Sequence, residues 1–295
     1  MIAKLDLYRV FVEVAKQQSF SSAAKGLFMT QPAVSQSIRQ LEKELDMRLF
    51  TRTSKGVALT NEGQQLHEYI RTAINLIDVG EKKLIESKQL LSGELKIGVG
   101  DTISRYFLLP YLEKFNNLSP NIKLRIINRT TVELCNMLKS GEIDIAICNL
   151  PIKDSAIEIR KCLEVQDIFV SGERYKREFI GPIALAELVK YPLIFLDAKS
   201  NTRRYVEKYI LTKGIKITPE IELGSHDLLL EFAKANLGIA CVIREFSLDY
   251  LETEKLFEVP LEEKIPKRSI GFCFLKGVSL SPASSNFVKI VEDNL

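Results

Sequence analysis

From residue 95 onward, short apolar runs alternate with helical patterns, and that alternation leaves the chain few architectures. "LKIGVG", "IKLRII", "IDIAIC", "PLIFLD", "IACVI" and "IGFCFL" read as strands. "RYFLLPYLEKFNN", "TVELCNMLKS", "LAELVK", "RRYVEKYILTKG" and "DLLLEFAKANLG" carry apolar residues at helical steps. Strand and helix taking turns predicts α/β architecture with mainly parallel strands. About two hundred residues suit two small lobes. Lobe I takes about 92–163 and 268–295, and lobe II about 164–267, with "IGFCFL" and the last helix returned to the first lobe.

In such folds ligands bind at the carboxyl ends of strands, beside helix N-termini. Gly100, Asp101, Thr102 and Ser104 follow the first strand, and Arg129 and Thr130 the second. Ser200, Asn201 and Thr202 follow "PLIFLD", and Ser225 precedes "DLLLEF". Any one cluster reads as helix capping; four at equivalent positions predict a cleft lined with hydroxyl and main-chain N–H donors. Those donors, with Arg129 and Arg203, favour a small anionic effector. Asp101 at the rim would repel an anion unless paired with an arginine, so an amino-acid-like molecule suits both signs.

The N-terminal end has another character. Residues 1–60 hold nine Lys or Arg against five Asp or Glu, so the excess positive charge of this +3 chain lies there. Leu5, Tyr8, Phe11, Val12 and Ala15 step as a first helix, and Ser21 can cap a short second one whose Ala23 and Ala24 allow a close crossing. In "TQPAVSQSIRQLEKEL" the buried face is Val34, Ile38, Leu41 and Leu45. Thr30 caps this helix and Pro32 fits its first turn, which leaves Gln31, Ser35, Gln36 and Arg39 on the outer face. Such side chains pair with base edges and phosphates of double-stranded DNA. Next, "RLFTRTSKGVALT" predicts a β-hairpin wing with Arg52, Thr53, Ser54 and Lys55 at its tip. Helix, short helix, turn, helix and wing together predict a winged helix-turn-helix over 1–60.

Residues 61–91 predict one helix. Leu66, Ile70, Ala73, Ile77, Gly80, Leu84, Ser87 and Leu91 step four and three alternately, a heptad seam suited to dimerisation. Packing of this helix on its own domain is the alternative.

Other classes are poorly served. Two histidines leave no multi-histidine metal site, and no Ser/His/Asp triad, phosphate loop or GxGxxG occurs, so neither metal nor cofactor is predicted. Five widely spaced cysteines without CxxC read as reduced, buried thiols, with a redox sensor as the alternative. No run reaches transmembrane length and the charged N-terminus is no signal peptide, so a cytoplasmic protein without membrane contact is expected. An enzyme on this fold would draw on Asp101 and His226, and would leave the N-terminal domain without a role. A DNA-binding protein whose sensor has lost its ligand is a further alternative.

The run "FSSAAKGLFMTQPAVSQSIRQLEKELDMRLFTRTSKGVALTNEG" resembles the N-terminal domain of LysR-type transcriptional regulators. "SGELKIG", "LLPYLEKF", "SGEIDIAI" and "NLGIA" resemble, more loosely, the effector domain of that family, which is similar in fold to periplasmic binding proteins. The resemblance implies a DNA-binding regulator of transcription, working as a homodimer or homotetramer on an operator or promoter and with RNA polymerase. It also implies an effector between the lobes, touched by residues matching Thr102 and its neighbours, Thr130, and the loop at 200–202. Arg129 stands where many members have Gly, and Asn236 where many have Ala-Gly.

Overall fold

A computed structural model describes residues 4–53, 56–88 and 93–295, with no side-chain description for Arg52, Val79 and 82–88. The chain divides into two compact units, 1–88 and 89–295.

The first unit begins with α1 (Leu5–Gln17), α2 (Phe20–Gly26) and α3 (Gln31–Leu45). Ser19, rather than Ser21, caps α2 by accepting the Ser22 N–H at 3.3 Å. Ser21 lies inside the helix, where its own N–H is already in the first turn. Thr30 caps α3 by accepting the Ala33 N–H at 3.4 Å, and Pro32 occupies the first turn. Phe11, Val14, Ala23, Val34, Ile38 and Leu41 close the core between the helices. A hairpin follows, β1 (Phe50–Thr53) against β2 (Gly56–Leu59), with Phe50 opposite Leu59 and Thr53 opposite Gly56. The Glu42 carboxylate accepts the Leu49 and Phe50 N–H groups at 2.8 and 3.2 Å, which ties the hairpin to α3.

The 28-residue helix α4 (Asn61–Lys88) ends the unit. Ile74 is buried, the His67 ring stands edge-on to Phe11 at 6.2 Å, and Asp78 meets Arg9 at 3.5 Å. This face therefore packs on its own domain. Leu66, placed on the dimer seam by its heptad step, also packs against that core. Tyr69, Ala73 and Ile77 are exposed, Ile70 is half-buried, and the side chain of Leu84 lies outside the described residues. The helix thus carries two apolar faces, one used internally and one open.

The second unit contains two five-stranded sheets. Lobe I has β3 (Gly93–Val99), β4 (Ile122–Asn128), β5 (Ile145–Asn149) and β6 (Ile157–Val165). Lobe II has β7 (Asp167–Ser171), β8 (Leu193–Leu196), β9 (Ile221–Leu223), β10 (Ile239–Ile243) and β11 (Phe257–Glu258). β12 (Arg268–Leu275) completes the lobe I sheet, whose order is β4-β3-β5-β12-β6, beside β11-β7-β10-β8-β9 in lobe II. Helices α5 (Asp101–Ile103), α6 (Leu109–Leu118), α7 (Thr131–Lys139), α8 (Glu173–Lys176), α9 (Asn201–Thr212), α10 (His226–Lys234), α11 (Leu248–Glu252) and α12 (Pro282–Glu292) lie between and after the strands. A π turn at Ser104–Leu108 joins α5 to α6. "LAELVK" forms a 3-10 helix.

The sheets are mixed rather than mainly parallel. β3 runs parallel to β4 and β5, and β8 to β9 and β10. β12 runs antiparallel to β5 and β6, and β7 to β10 and β11. The reason is the double passage between lobes. β6 and β7 are separated by Gln166 alone, and β12 brings the chain back, so the crossing strands oppose the βαβ strands.

Candidate DNA interface and effector cavity

On α3 the buried step Val34, Ile38 and Leu41 turns the opposite face outward. Thr30, Gln31, Pro32, Gln36 and Arg39 are exposed and Ser35 is half-buried. Gln31 Nε2 donates to Ser35 Oγ at 3.0 Å, so these two side chains form one polar unit. In the hairpin Thr53 is exposed, and the Arg52 side chain, Ser54 and Lys55 lie outside the described residues.

In the second unit the ends of β3, β4, β5 and β8 surround a cavity of about 370 Å³. Eight residues picked from sequence line it: Gly100, Asp101, Thr102, Arg129, Thr130, Ser200, Asn201 and Thr202. Two do not. Ser104 sits on the π turn and its hydroxyl donates instead to Asn128 Oδ1 at 3.3 Å. Ser225 is replaced in the wall by its neighbour Gly224. Asn128, in the same polar cluster as Arg129 and Thr130, lines it as well, and so do Glu133, Cys148, Asn149, Asp197 and Lys199, which the strand-end reading does not single out. Glu133 was legible, because Thr130-x-x-Glu133 is a capping-box pattern.

Local bonds occupy several of the expected donors. Thr130 gives its hydroxyl and N–H to the Glu133 carboxylate at 2.6 and 2.9 Å, which holds that carboxyl below its usual range. The Ser200 hydroxyl accepts the Arg203 N–H, and Asn201 Nδ2 donates to the Asn149 carbonyl at 3.0 Å. Thr202 is buried and accepts from Arg268 at 3.2 Å. Arg203 is not a ligand group. It is buried, with Glu207 at 2.7 Å and Glu222 at 3.0 Å, and it also donates to the Leu196 carbonyl. The i,i+4 spacing from Arg203 to Glu207 was the signal for this. Asp101 receives Asn128 Nδ2 at 3.5 Å, and Arg129 Nη1 donates to the Asn128 carbonyl at 2.8 Å.

Outside the cavity lining, Tyr106 of lobe I contacts residues of lobe II. Its hydroxyl donates to Asp227, which also pairs with Arg105 at 3.0 Å. The Tyr106 ring stacks on Phe246 at 5.4 Å and meets His226 edge-on at 5.3 Å. His226 is buried outside the cavity wall, and its Nε2 accepts the Ile243 N–H at 3.2 Å. Burial lowers its pKa to about 4, so it is a neutral packing group rather than a partner for Asp101. The cysteines are free thiols, four buried and Cys162 half-buried. Asn236, where the sequence departs from the family pattern, adopts φ +60° and accepts the Arg174 N–H at 2.8 Å.

A bacterial regulatory helix-turn-helix model of the lysR family matches residues 5–64, and the LysR substrate binding domain matches 88–295. The chain belongs to the LysR family of transcriptional regulators. This LysR-type chain is 27% identical over 292 residues to the RuBisCO operon transcriptional regulator of Allochromatium vinosum, covering 99% of this chain and 96% of that one. It is 26% identical over 238 residues to the HTH-type transcriptional activator CmpR of Synechocystis, covering 81% and 78%. A full-length OxyR variant from Pseudomonas aeruginosa shares the fold with a TM-score of 0.67 at 19% identity, covering 99% and 94%. Full-length CbnR complexed with its target DNA gives 0.64 at 19% identity, covering 99% and 100%. This LysR-type protein is therefore a DNA-binding transcriptional regulator with an effector-binding domain.

Proposed function

We propose that the protein acts in the cytoplasm as a homo-oligomer on operator DNA and answers to a small zwitterion, an amino-acid-like molecule, held between its lobes. One observation supports that effector class. Arg129 and Lys199 line the same cavity as Asp101, Glu133 and Asp197, so the wall offers both signs of charge. A purely anionic ligand would leave Asp101 and Asp197 opposed, and a purely cationic one would leave Arg129 and Lys199 opposed. Its carboxylate is served by Thr102 and by main-chain N–H groups opening α7 and α9, and its amino group by Asp101 or Asp197.

DNA contact is assigned to Thr30, Gln31, Pro32, Ser35, Gln36 and Arg39 on α3, with Arg52, Thr53, Ser54 and Lys55 on the hairpin. The open face of α4, with Ala73 and Ile77, is the oligomer contact. An effector that binds the closed lobes more tightly than the open ones shifts the protein toward closure, and linkage carries that preference to operator affinity. RNA polymerase is the proposed partner once the operator is held.

Calorimetric titration of the full-length protein with amino acids, organic anions of similar size and neutral analogues tests the effector class. The expected result is binding of a zwitterion that Thr102→Val weakens. A physiological effector that is neutral or singly charged overturns it, as does an unchanged affinity in Thr102→Val.

A further inference from the structure

Phe28 stands apart from the other aromatic residues. Of fifteen phenylalanines it alone is exposed, at 99%; the rest are buried or half-buried. Its backbone is in the left-handed region at φ +54°, where asparagine or glycine is the ordinary occupant. A large apolar ring is thus held in water on a backbone that disfavours it. Nothing in the domain core rewards this. The left-handed conformation is the Schellman end of α2, so it is the choice of a fully exposed phenylalanine at that position that calls for a function.

The position supplies one. Phe28 lies in the turn between α2 and α3, two residues before the cap Thr30 and three before Gln31. The turn is pinned: the Phe28 N–H donates to the Lys25 carbonyl at 3.3 Å, and the Met29 N–H to the Ala24 carbonyl at 2.9 Å. In helix-turn-helix proteins the N-terminal residues of the second helix meet base edges in the major groove, which places this turn at the groove as well. The lining there is polar except for the thymine 5-methyl group, and phenylalanine is one of the side chains that contacts it. A phosphate neighbour would instead call for a hydroxyl, an amide or a cation.

The geometry points to Phe28 as a base-reading residue that packs on a thymine 5-methyl group beside the base pairs reached by Gln31 and Ser35. The assignment rests on α3 being the helix in the groove.

The test uses the full-length protein and an operator duplex selected by it from a random pool. Each thymine is replaced in turn by deoxyuridine, which removes only the methyl group. At one position per half-site the replacement should weaken wild-type binding about fourfold, the factor one buried methyl supplies. Phe28→Ala and Phe28→Asn should both bind the thymine duplex more weakly and lose that position's sensitivity. Phe28→Asn suits the left-handed backbone, so its fold provides the control. Deoxyuridine sensitivity that survives in both variants, or no sensitive thymine at all, overturns the proposal. Equal loss on all duplexes with a smaller assembly in sedimentation also overturns it, and assigns the ring to contact between copies. Gln31→Ala on single-base-changed operators tests α3 separately: unchanged base preference there is failure of the helix assignment, not of Phe28 alone.

Discussion

Arg268 and Asp167 form a bidentate ion pair sealed from solvent, with Nε to Oδ2 at 2.6 Å and Nη2 to Oδ1 at 2.9 Å. Asp167 opens β7, where the chain enters lobe II, and Arg268 opens β12, where it returns. The same guanidinium reaches Asn149 and Thr202, which line the cavity from opposite lobes. Burial pushes the Asp167 carboxyl up, and the guanidinium opposes that push.

Removing one partner should therefore strand a buried charge. Arg268→Met is expected to destabilise the effector domain by about 3–5 kcal/mol, and Arg268→Met with Asp167→Leu to recover most of the loss. Chemical denaturation of the variants checks this; equal stability of single and double variants contradicts it.

On DNA, Arg39→Ala should lower the log–log salt slope by about one per half-site. Gln31→Ala should instead relax preference at particular base pairs by about 1–3 kcal/mol. Because Gln31 and Ser35 share a hydrogen bond, their double variant should lose less than the two single losses combined. Anisotropy titrations on operator and random duplexes over a salt series separate these effects.

The two faces of α4 should respond differently to charge. Ile77→Asp, on the open face, is expected to yield smaller assemblies in sedimentation with an intact domain. Ile74→Asp, on the buried face, should lower the melting temperature of the DNA-binding unit. If Ile77→Asp leaves assembly size unchanged, the open face is not the oligomer contact.

Acid should weaken the effector domain through His226. Its folded pKa lies at about 4, below the ordinary 6.5; burial is the largest cause, Arg105 and Arg268 act in the same direction, and Asp227 opposes them. The unfolded chain therefore takes up this proton first. Stability is full above about pH 6.5 and declines as pH falls toward 4, by up to about 3 kcal/mol. His226→Gln should flatten that part of the stability–pH curve, as measured by denaturation at a series of pH values.

Local rules made α3 and most cavity residues legible. Val34, Ile38 and Leu41 fixed the buried face of α3, and strand-to-helix junctions marked Thr102, Thr130 and Asn201. What escaped needed knowledge of distant neighbours. β6 places charged side chains among apolar ones at a sheet edge, and β7 is five buried residues opening on an aspartate. Only Gln166 separates β6 from β7, so no helix comes between them to complete a βαβ pattern. Asp167 is explained only by Arg268, 101 residues away. Arg203 was misplaced because its position at a helix start suggested a ligand, while Glu207 and Glu222 hold it in the structure.

Helix α4 is anchored to α1 through His67 and Asp78 and buries Ile74, so the DNA-reading domain and that part of the helix turn as a single piece. Its 28 residues make a lever of roughly 42 Å. Tilting such a lever by only about 5° sweeps its end through roughly 4 Å, close to the ~3.4 Å that separates neighbouring base pairs. In the proposed oligomer a tilt of that size would carry a DNA-reading domain through about one base-pair step.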